Sequence, residues 1–446
     1  MTVPRARRPS EDEVEHPVAR EGLARPSVGN GATVAEKILA RKSGRDHVAP
    51  GEIVWCDVDL AMVHDSSGPR RLGPMLERLG ATIWDPSKVV IATDHFVPPN
   101  DQTEVEIARV TREFARDRGV AKYHEAEGIC HIVPLERGYV IPGTLFVGAD
   151  SHSTTAGVMG AFAVPVGVTE MLGVFVTGQI WLKVPETTRI EWTGPLAEGC
   201  MAKDMVLTVL GEIGDDGATY QALEYGGDAV YALPFDERIV LTNMAIEHGA
   251  KTGIIPPDEL VFGLVRGRGR DTAAYPDPDA IYARVLRHRA DELAPRVALP
   301  GAPDNVADAA EAKGERIDQA YIGACTGAKY TDLAAVARVV RGRRVAPGVR
   351  FLIAPASKDV MRRAAESGVL ATLLGAGATL LPTGCGACAG LGHGVLGAGE
   401  RCISSTNRNY PGRMGHALAQ VFLGSPLTVA ASAVTGTVTD PRELLA

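Results

Sequence analysis

The chain has 446 residues, 45% of them hydrophobic and 22% charged. These are the proportions of a folded globular protein of about three domains, and they exclude a disordered, collagen-like or coiled-coil chain. Lys and Arg number 46 against 54 Asp and Glu, a net charge of −8, which argues against a general phosphate-binding surface. Seven cysteines, an odd count spread over a long chain, do not make a disulfide framework and fit a reducing, cytoplasmic compartment.

Residues 1–30 are polar, with Pro and Arg and no periodicity, and read as a flexible tail without a secretory h-region. Thr33 to Ala40 follows as a short amphipathic helix, with Thr33 and Glu36 spaced as a capping box. Glu52–Leu60, Lys88–Thr93 and Thr144–Gly148 read as strands, and Thr103–Arg118 as a helix capped by Thr103 and Glu106. The apolar stretch Gly160 to Leu182 contains Pro165, Glu170 and several glycines and reads as buried core rather than a membrane span. This alternation predicts an α/β domain with a largely parallel sheet over 31–193.

The pattern changes at Gly194-Pro195. A second domain is expected over 194–287, with helical segments Met201–Ile213 and Leu241–Ala250. Residues 288–316, charged and rich in Ala and Pro, read as a linker. The α/β rhythm resumes over 317–446, with strands at Ala320–Gly323, Arg350–Ala354, Ala378–Leu381 and Arg401–Ser404, and helices at Asp332–Arg341 and from Lys358.

Several of these strands run into chemistry-bearing residues: His64-Asp65, Asp94-His95, Asp150-Ser151-His152, Cys325, Cys385 with Cys388, and Asn407-Arg408. The carboxyl ends of parallel strands are where α/β sheets place ligands. Cys385-Gly-Ala-Cys388 is a CxxC with Cys325 well upstream, so three thiolates from loops are available for iron or zinc; Cys402 as a fourth would close an electron-transfer cluster. A zinc ribbon wants a second CxxC or a His pair, and neither exists. Asp94 beside His95 suits a carboxylate that fixes a tautomer and raises an imidazole pKa. Arg408 and Arg413 suit bidentate carboxylate binding. Gly392-His-Gly394-Val-Leu-Gly397 matches GxGxxG but follows a CxxC loop and lacks an acidic partner downstream, so a dinucleotide site is not expected.

Taken together, the motifs resemble the aconitase superfamily, and within it the large subunits of 3-isopropylmalate dehydratases and homoaconitases. The resemblance rests on Ile322-Gly-Ala-Cys325-Thr, Pro382-Thr-Gly-Cys385-Gly-Ala-Cys388 and Ser404-Ser-Thr-Asn-Arg-Asn-Tyr-Pro-Gly-Arg413. Thr93-Asp-His95, Gly128-Ile-Cys-His131, Gly148-Ala-Asp-Ser-His152 and Thr242-Asn-Met-Ala-Ile-Glu247 support it. It implies three α/β domains around one 4Fe–4S cluster held by Cys325, Cys385 and Cys388 but not Cys402, with one iron open as a Lewis acid. It implies His95, oriented by Asp94, as the acid that protonates a leaving hydroxyl, with His131, Asp150, His152 and Glu247 in the supporting network. Ser151, Asn243, Asn407, Arg408 and Arg413 fall on cluster-neighbour and carboxylate-binding positions, and His64-Asp65 on the segment that approaches substrate.

The implied activity is a hydro-lyase that isomerises a 2-substituted malate by dehydration and rehydration, as in leucine biosynthesis. The serine base of single-chain aconitases lies on a further swivelling domain, expected here on a separate small subunit. Departures stand beside the cluster: Ala324-Cys325-Thr326-Gly327 where Ser-Cys-Thr-Asn is usual, then Ala328-Lys329-Tyr330, and Ile132 where Gln is common. A homoaconitase or a specialised malate-analogue isomerase therefore stays open. An iron-responsive RNA-binding apo-protein is the rival of another class, disfavoured by net acidity and the lack of a basic–aromatic stripe.

Overall fold

The computed structural model describes residues 31–445; the tail expected over 1–30 lies outside them. The first helix, Val34–Lys42, starts where Thr33 caps it, and Glu36 completes the capping box. The segment expected as one strand is two. Strand β1 (Ile53–Asp57) breaks at Val58-Asp59, and β2 (Leu60–His64) runs on into the sheet. The break is held by Asp59, whose carboxylate accepts from the backbone of Leu145 at 2.7 Å.

Strands β3 (Val89–Thr93), β4 (Lys122–Glu125), β5 (Leu145–Gly148) and β6 (Phe162–Pro165) join β2 in a parallel sheet of order β4-β3-β2-β5-β6. Four of its strands read as near-continuous apolar runs because both faces are covered. The helix after β3 is Gln102–Asp117. It is capped by Asp101 rather than Thr103, because the Asp101 carboxylate reaches the Glu104 backbone at 2.8 Å while Glu106 pairs with Arg109. Strand β7 (Gln179–Lys183) pairs antiparallel with β1 as a two-stranded ribbon. The apolar stretch before it is divided among β6, the helix Val168–Thr177 and β7. No described helix is long and apolar enough to cross a membrane.

The second sheet begins with β8 (Thr187–Thr193), ahead of the expected boundary at 194, and adds β9 (Ala222–Gly226), β10 (Thr252–Ile254) and β11 (Arg284–Arg289), all parallel, in the order β10-β9-β8-β11. The helices Ala202–Ile213 and Phe235–Asn243 pack beside it, and the latter continues as a 3-10 turn, Met244–His248.

The linker expected over 288–316 is a correction. Its residues form β12 (Arg296–Ala298) and β13 (Val306–Asp308), which pair antiparallel at one edge of the third sheet. Charged and Pro-rich flanks hide Val297 and Ala298, which are fully buried. The remainder of that sheet is parallel: β14 (Gln319–Ile322), β15 (Arg350–Ile353), β16 (Thr379–Leu380), β17 (Arg401–Ser404) and β18 (Gln420–Gly424). One apolar cluster runs continuously from Leu60 and Met62 through Trp192 and Leu241 to Tyr321, Cys325 and Met414. The three sheets thus share a core.

Candidate active site

Asp94, the residue after β3, is the hinge of the site. It is 1% exposed. Its Oδ1 accepts from His95 Nδ1 at 2.7 Å and its Oδ2 from the Cys130 backbone at 2.7 Å. The same Oδ2 lies 3.5 Å from Cys385 Sγ, and the Asp94 carbonyl accepts from the Cys385 backbone at 2.8 Å. This close approach needs Gly384: a Cβ there would sit 2.6 Å from the Asp94 carbonyl oxygen, and φ is +146°. The proton-bearing imidazole and one sulfur loop are therefore fixed on one carboxylate.

Burial opposes charge on both partners, and each favours the charged form of the other. His95 is pushed well above the ordinary imidazole range because the Asp94 carboxylate, with Asp65, outweighs desolvation. Burial likewise opposes the charged form of Asp94, but the His95 charge and hydrogen bond hold its carboxyl below the usual range. Asp65, the residue after β2, clamps the turn: its carboxylate accepts from the backbone of His95 at 3.2 Å and Phe96 at 3.0 Å. His64 stacks on His95 with ring centroids 4.2 Å apart. Desolvation, then the His95 charge, lower its pKa. The two rings of the stack are pushed in opposite directions, His95 toward its charged form and His64 toward its neutral one.

A second carboxylate, Asp150 after β5, gathers three histidines. Its Oδ1 accepts from His131 Nε2 at 2.9 Å and from the His152 backbone at 2.8 Å, and its Oδ2 is 3.5 Å from His64 Nε2. Burial works against its ionisation, but His131 and these hydrogen bonds hold its carboxyl well below the ordinary range. His152 Nε2 reaches Glu247 Oε1 at 2.8 Å, and Glu247 takes Arg408 Nε at 3.0 and 2.8 Å. Arg408 Nη1 donates to Ser151 at 3.2 Å. Glu247, although buried, is lowered by His152 and Arg408 against desolvation. The chain Asp150–His131/His152–Glu247–Arg408 spans all three sheets.

The sulfurs stand alongside. Cys325 follows Ala324, whose φ of +66° is unusual for a residue with a Cβ. Cys325 Sγ accepts from Asn243 Nδ2 at 3.0 Å and from Asn407 Nδ2 at 3.6 Å, and the Asn407 amide also donates to Asn243 Oδ1. Cys388 Sγ lies 3.5 Å from Asn407 Oδ1. Burial raises the Cys325 pKa to about 11, with Cys388 adding to it; burial, then Asp94 and the other two sulfurs, raise Cys385. Cys402 stands apart in β17, its sulfur 3.9 Å from Gln319 Nε2 and 3.4 Å from a backbone carbonyl. Arg413 packs its carbonyl against Gly390, where an added Cβ would lie 3.0 Å away, and its Nε has no partner among the described residues.

The donor set decides what it can hold. A single tetrahedral ion with M–S bonds of about 2.3 Å would draw its sulfurs to ~3.8 Å from one another. Cys325, Cys385 and Cys388 offer three soft sulfur donors, the type that iron–sulfur groups and zinc take. Burial opposes the charged form of Cys325 and Cys385, and a thiol that binds a metal gives up its proton to do so.

Some participants give no sequence signal. Ser67 bonds His64 Nε2 at 2.9 Å, Thr155 Oγ1 accepts from Asn243 at 2.7 Å, and Lys203, 1% exposed, donates to the Thr406 carbonyl at 2.7 Å. The departures noted in sequence are absorbed by packing. Gly327 lies where a Cβ would meet Ser405 Oγ at 2.0 Å, and Lys329 pairs with Asp332 at 2.7 Å and reaches the Cys325 carbonyl at 3.2 Å.

Hydrogen-bonded imidazoles, a held guanidinium and three thiols thus stand near the ends of parallel strands. The model of the aconitase family (aconitate hydratase) matches residues 36–315 and 306–436. A 3-isopropylmalate dehydratase large subunit 1 of Methanopyrus kandleri is 48% identical over 419 residues, 93% of this chain and all (100%) of that protein. Two proteins of Methanothermobacter thermautotrophicus are similar: a probable 3-isopropylmalate dehydratase large subunit, 42% identical over 92% of this chain and 99% of its own, and a probable methanogen homoaconitase large subunit, 44% identical over 92% of this chain and 97% of its own. The chain belongs to the aconitase family, and its activity class is that of a hydro-lyase.

Proposed function

We propose that the chain is the large subunit of a 4Fe–4S hydro-lyase that isomerises a 2-substituted malate, with 2-isopropylmalate the leading substrate, by removing and re-adding water. The observation that carries this is the shared carboxylate: Asp94 holds His95 at 2.7 Å and Cys385 Sγ at 3.5 Å. A proton donor then stands beside the sulfurs Cys325, Cys385 and Cys388 that would hold the cluster. When bound, an open iron would supply a Lewis acid for the substrate hydroxyl.

The protein's own groups supply the rest. His95 is engaged at Nδ1, so its proton is delivered from Nε2 to the departing hydroxyl. His64, stacked on it with ring centroids 4.2 Å apart, holds the ring orientation. Glu247 accepts at Arg408 Nε and Ser151 at Nη1, leaving Nη2 for a substrate carboxylate; Arg413 is a second guanidinium on the same loop. Asn243 and Asn407 hold Cys325 through their amides. The base that takes the carbon-bound proton is expected from a small subunit, a reading supported by relatives titled large subunits that this chain matches over 97–100% of their length. The reducing, cytoplasmic setting inferred from free cysteines belongs to the same proposal.

The test is turnover of 2-isopropylmalate by the reconstituted chain, alone and with the product of a neighbouring small-subunit reading frame. Activity only in the pair supports the reading, and full turnover by the chain alone overturns the two-subunit part. Comparable likeness to a dehydratase and a homoaconitase of one organism, at 42% and 44%, makes homocitrate the second substrate to assay. Preference for it would move the proposal to homoaconitase.

A further inference from the structure

Tyr321 is the third residue of β14 and is 0% exposed, yet its hydroxyl has no hydrogen-bond partner among the described residues. A buried hydroxyl without a partner is destabilising, and a phenylalanine would fill the same space without that loss. The position of the ring tip shows what it faces. Alternation along β14 puts Gln319 and Tyr321 on one face. Gln319 reaches the Gly394 carbonyl at 2.8 Å, in the loop that follows the CxxC. The Tyr321 ring folds over Gly323, where a Cβ would meet its Cε1 at 2.1 Å. Its oxygen then reaches Gly386, where a Cβ would stand 3.6 Å away. Gly386 lies between Cys385 and Cys388, so the phenol tip is under the CxxC turn. Burial, then the charges of Cys388 and Cys385, push its pKa well above the ordinary phenol, so the group remains a donor.

We propose that the Tyr321 hydroxyl donates a hydrogen bond to a sulfur of the iron–sulfur group held by Cys325, Cys385 and Cys388, and so raises its reduction potential and slows its loss of iron. The inference rests on the cluster reading above. Hydrogen bonds to cluster sulfurs stabilise the more negative, reduced state and tune potential. The alternative partner is a water in the small cavity that Tyr321 shares with His95, Thr383, Gly384 and His393; a water would satisfy the hydroxyl with or without iron.

The two are separated by Tyr321→Phe in the full chain, measured as the apo-protein and after anaerobic loading with iron and sulfide. The expected result has opposite signs in the two forms. The apo variant melts at or above the wild type, because an unpaired donor is gone. The loaded variant releases iron to a chelator roughly 10-fold faster and has a lower midpoint potential. Equal release rates and potentials at equal loading overturn the proposal, as does an apo variant that melts below the wild type, which would reveal a partner present without iron. A wild-type chain that takes up no iron and sulfide overturns the cluster reading itself, and this contact with it.

Discussion

Asp94→Asn tests the carboxylate on which the acid and the sulfur loop both depend. The aspartate accepts two hydrogen bonds of 2.7 Å, from His95 Nδ1 and the Cys130 backbone, and it is 1% exposed. Asparagine keeps one acceptor oxygen and turns an NH₂ toward the other donor, leaving one buried N–H unpaired at about 1–3 kcal/mol. The larger effect is on His95. Its pKa is held up chiefly by Asp94, with Asp65 at 3.5 Å a weaker support. Without the Asp94 charge it drops, and the fraction carrying a proton at neutral pH drops with it. Loss of a positioned acid costs about 10²–10⁴-fold in kcat, and the alkaline limb of kcat/KM moves to lower pH. The assay is the near-ultraviolet absorbance of the alkene diacid formed from 2-isopropylmalate, recorded across pH with the small subunit present and iron content matched to wild type. A variant within threefold of wild type and with an unmoved alkaline limb would refute the role given to the Asp94–His95 pair.

Cys325→Ser, Cys385→Ser and Cys388→Ser should each abolish stable iron and sulfide uptake, while Cys402→Ser, whose sulfur meets Gln319 and a backbone carbonyl in β17, should load normally; equal loss in Cys402→Ser would break the three-ligand assignment. Arg413→Lys should keep fold and iron content yet lose on the order of 10²-fold in kcat/KM, because an ammonium cannot grip a planar carboxylate with two parallel bonds; near-wild-type kinetics would remove Arg413 from the site. His248 is buried, with its pKa lowered to about 4 by desolvation. The unfolded imidazole takes a proton below ~6.5 while the folded one does not until about 4, so stability falls as pH drops through that window, by up to roughly 3 kcal/mol. His248→Gln should flatten that part of the urea-denaturation profile, and an unchanged profile would refute it.

The strands and the ligand-bearing turns were legible because buried parallel strands are β-branched runs and each ends in a conspicuous residue: Asp94, Asp150, Cys325 or Asn407. What escaped was decided by distant partners. The break between β1 and β2 depends on Asp59 meeting Leu145, and the capping of Gln102–Asp117 on Asp101 reaching Glu104 before Thr103 could act. Strands β12 and β13 are short and flanked by charge and proline, and they exist because β18 offers an edge. In the site, the CxxC and Asp-His motifs are local signals. The burial of Lys203, the Ser67–His64 bond and the unpaired hydroxyl of Tyr321 follow only once three sheets are brought together.

On the reading proposed above, three sulfurs hold a cluster with one iron open to a hydroxy acid beside His95. Electron paramagnetic resonance of the anaerobically loaded, reduced chain with its small subunit, recorded before and after adding 2-isopropylmalate, addresses it directly. An open iron predicts a substrate-dependent change in the g values. A cluster signal that stays the same at saturating substrate, or iron bound without a cluster signal, would contradict the account.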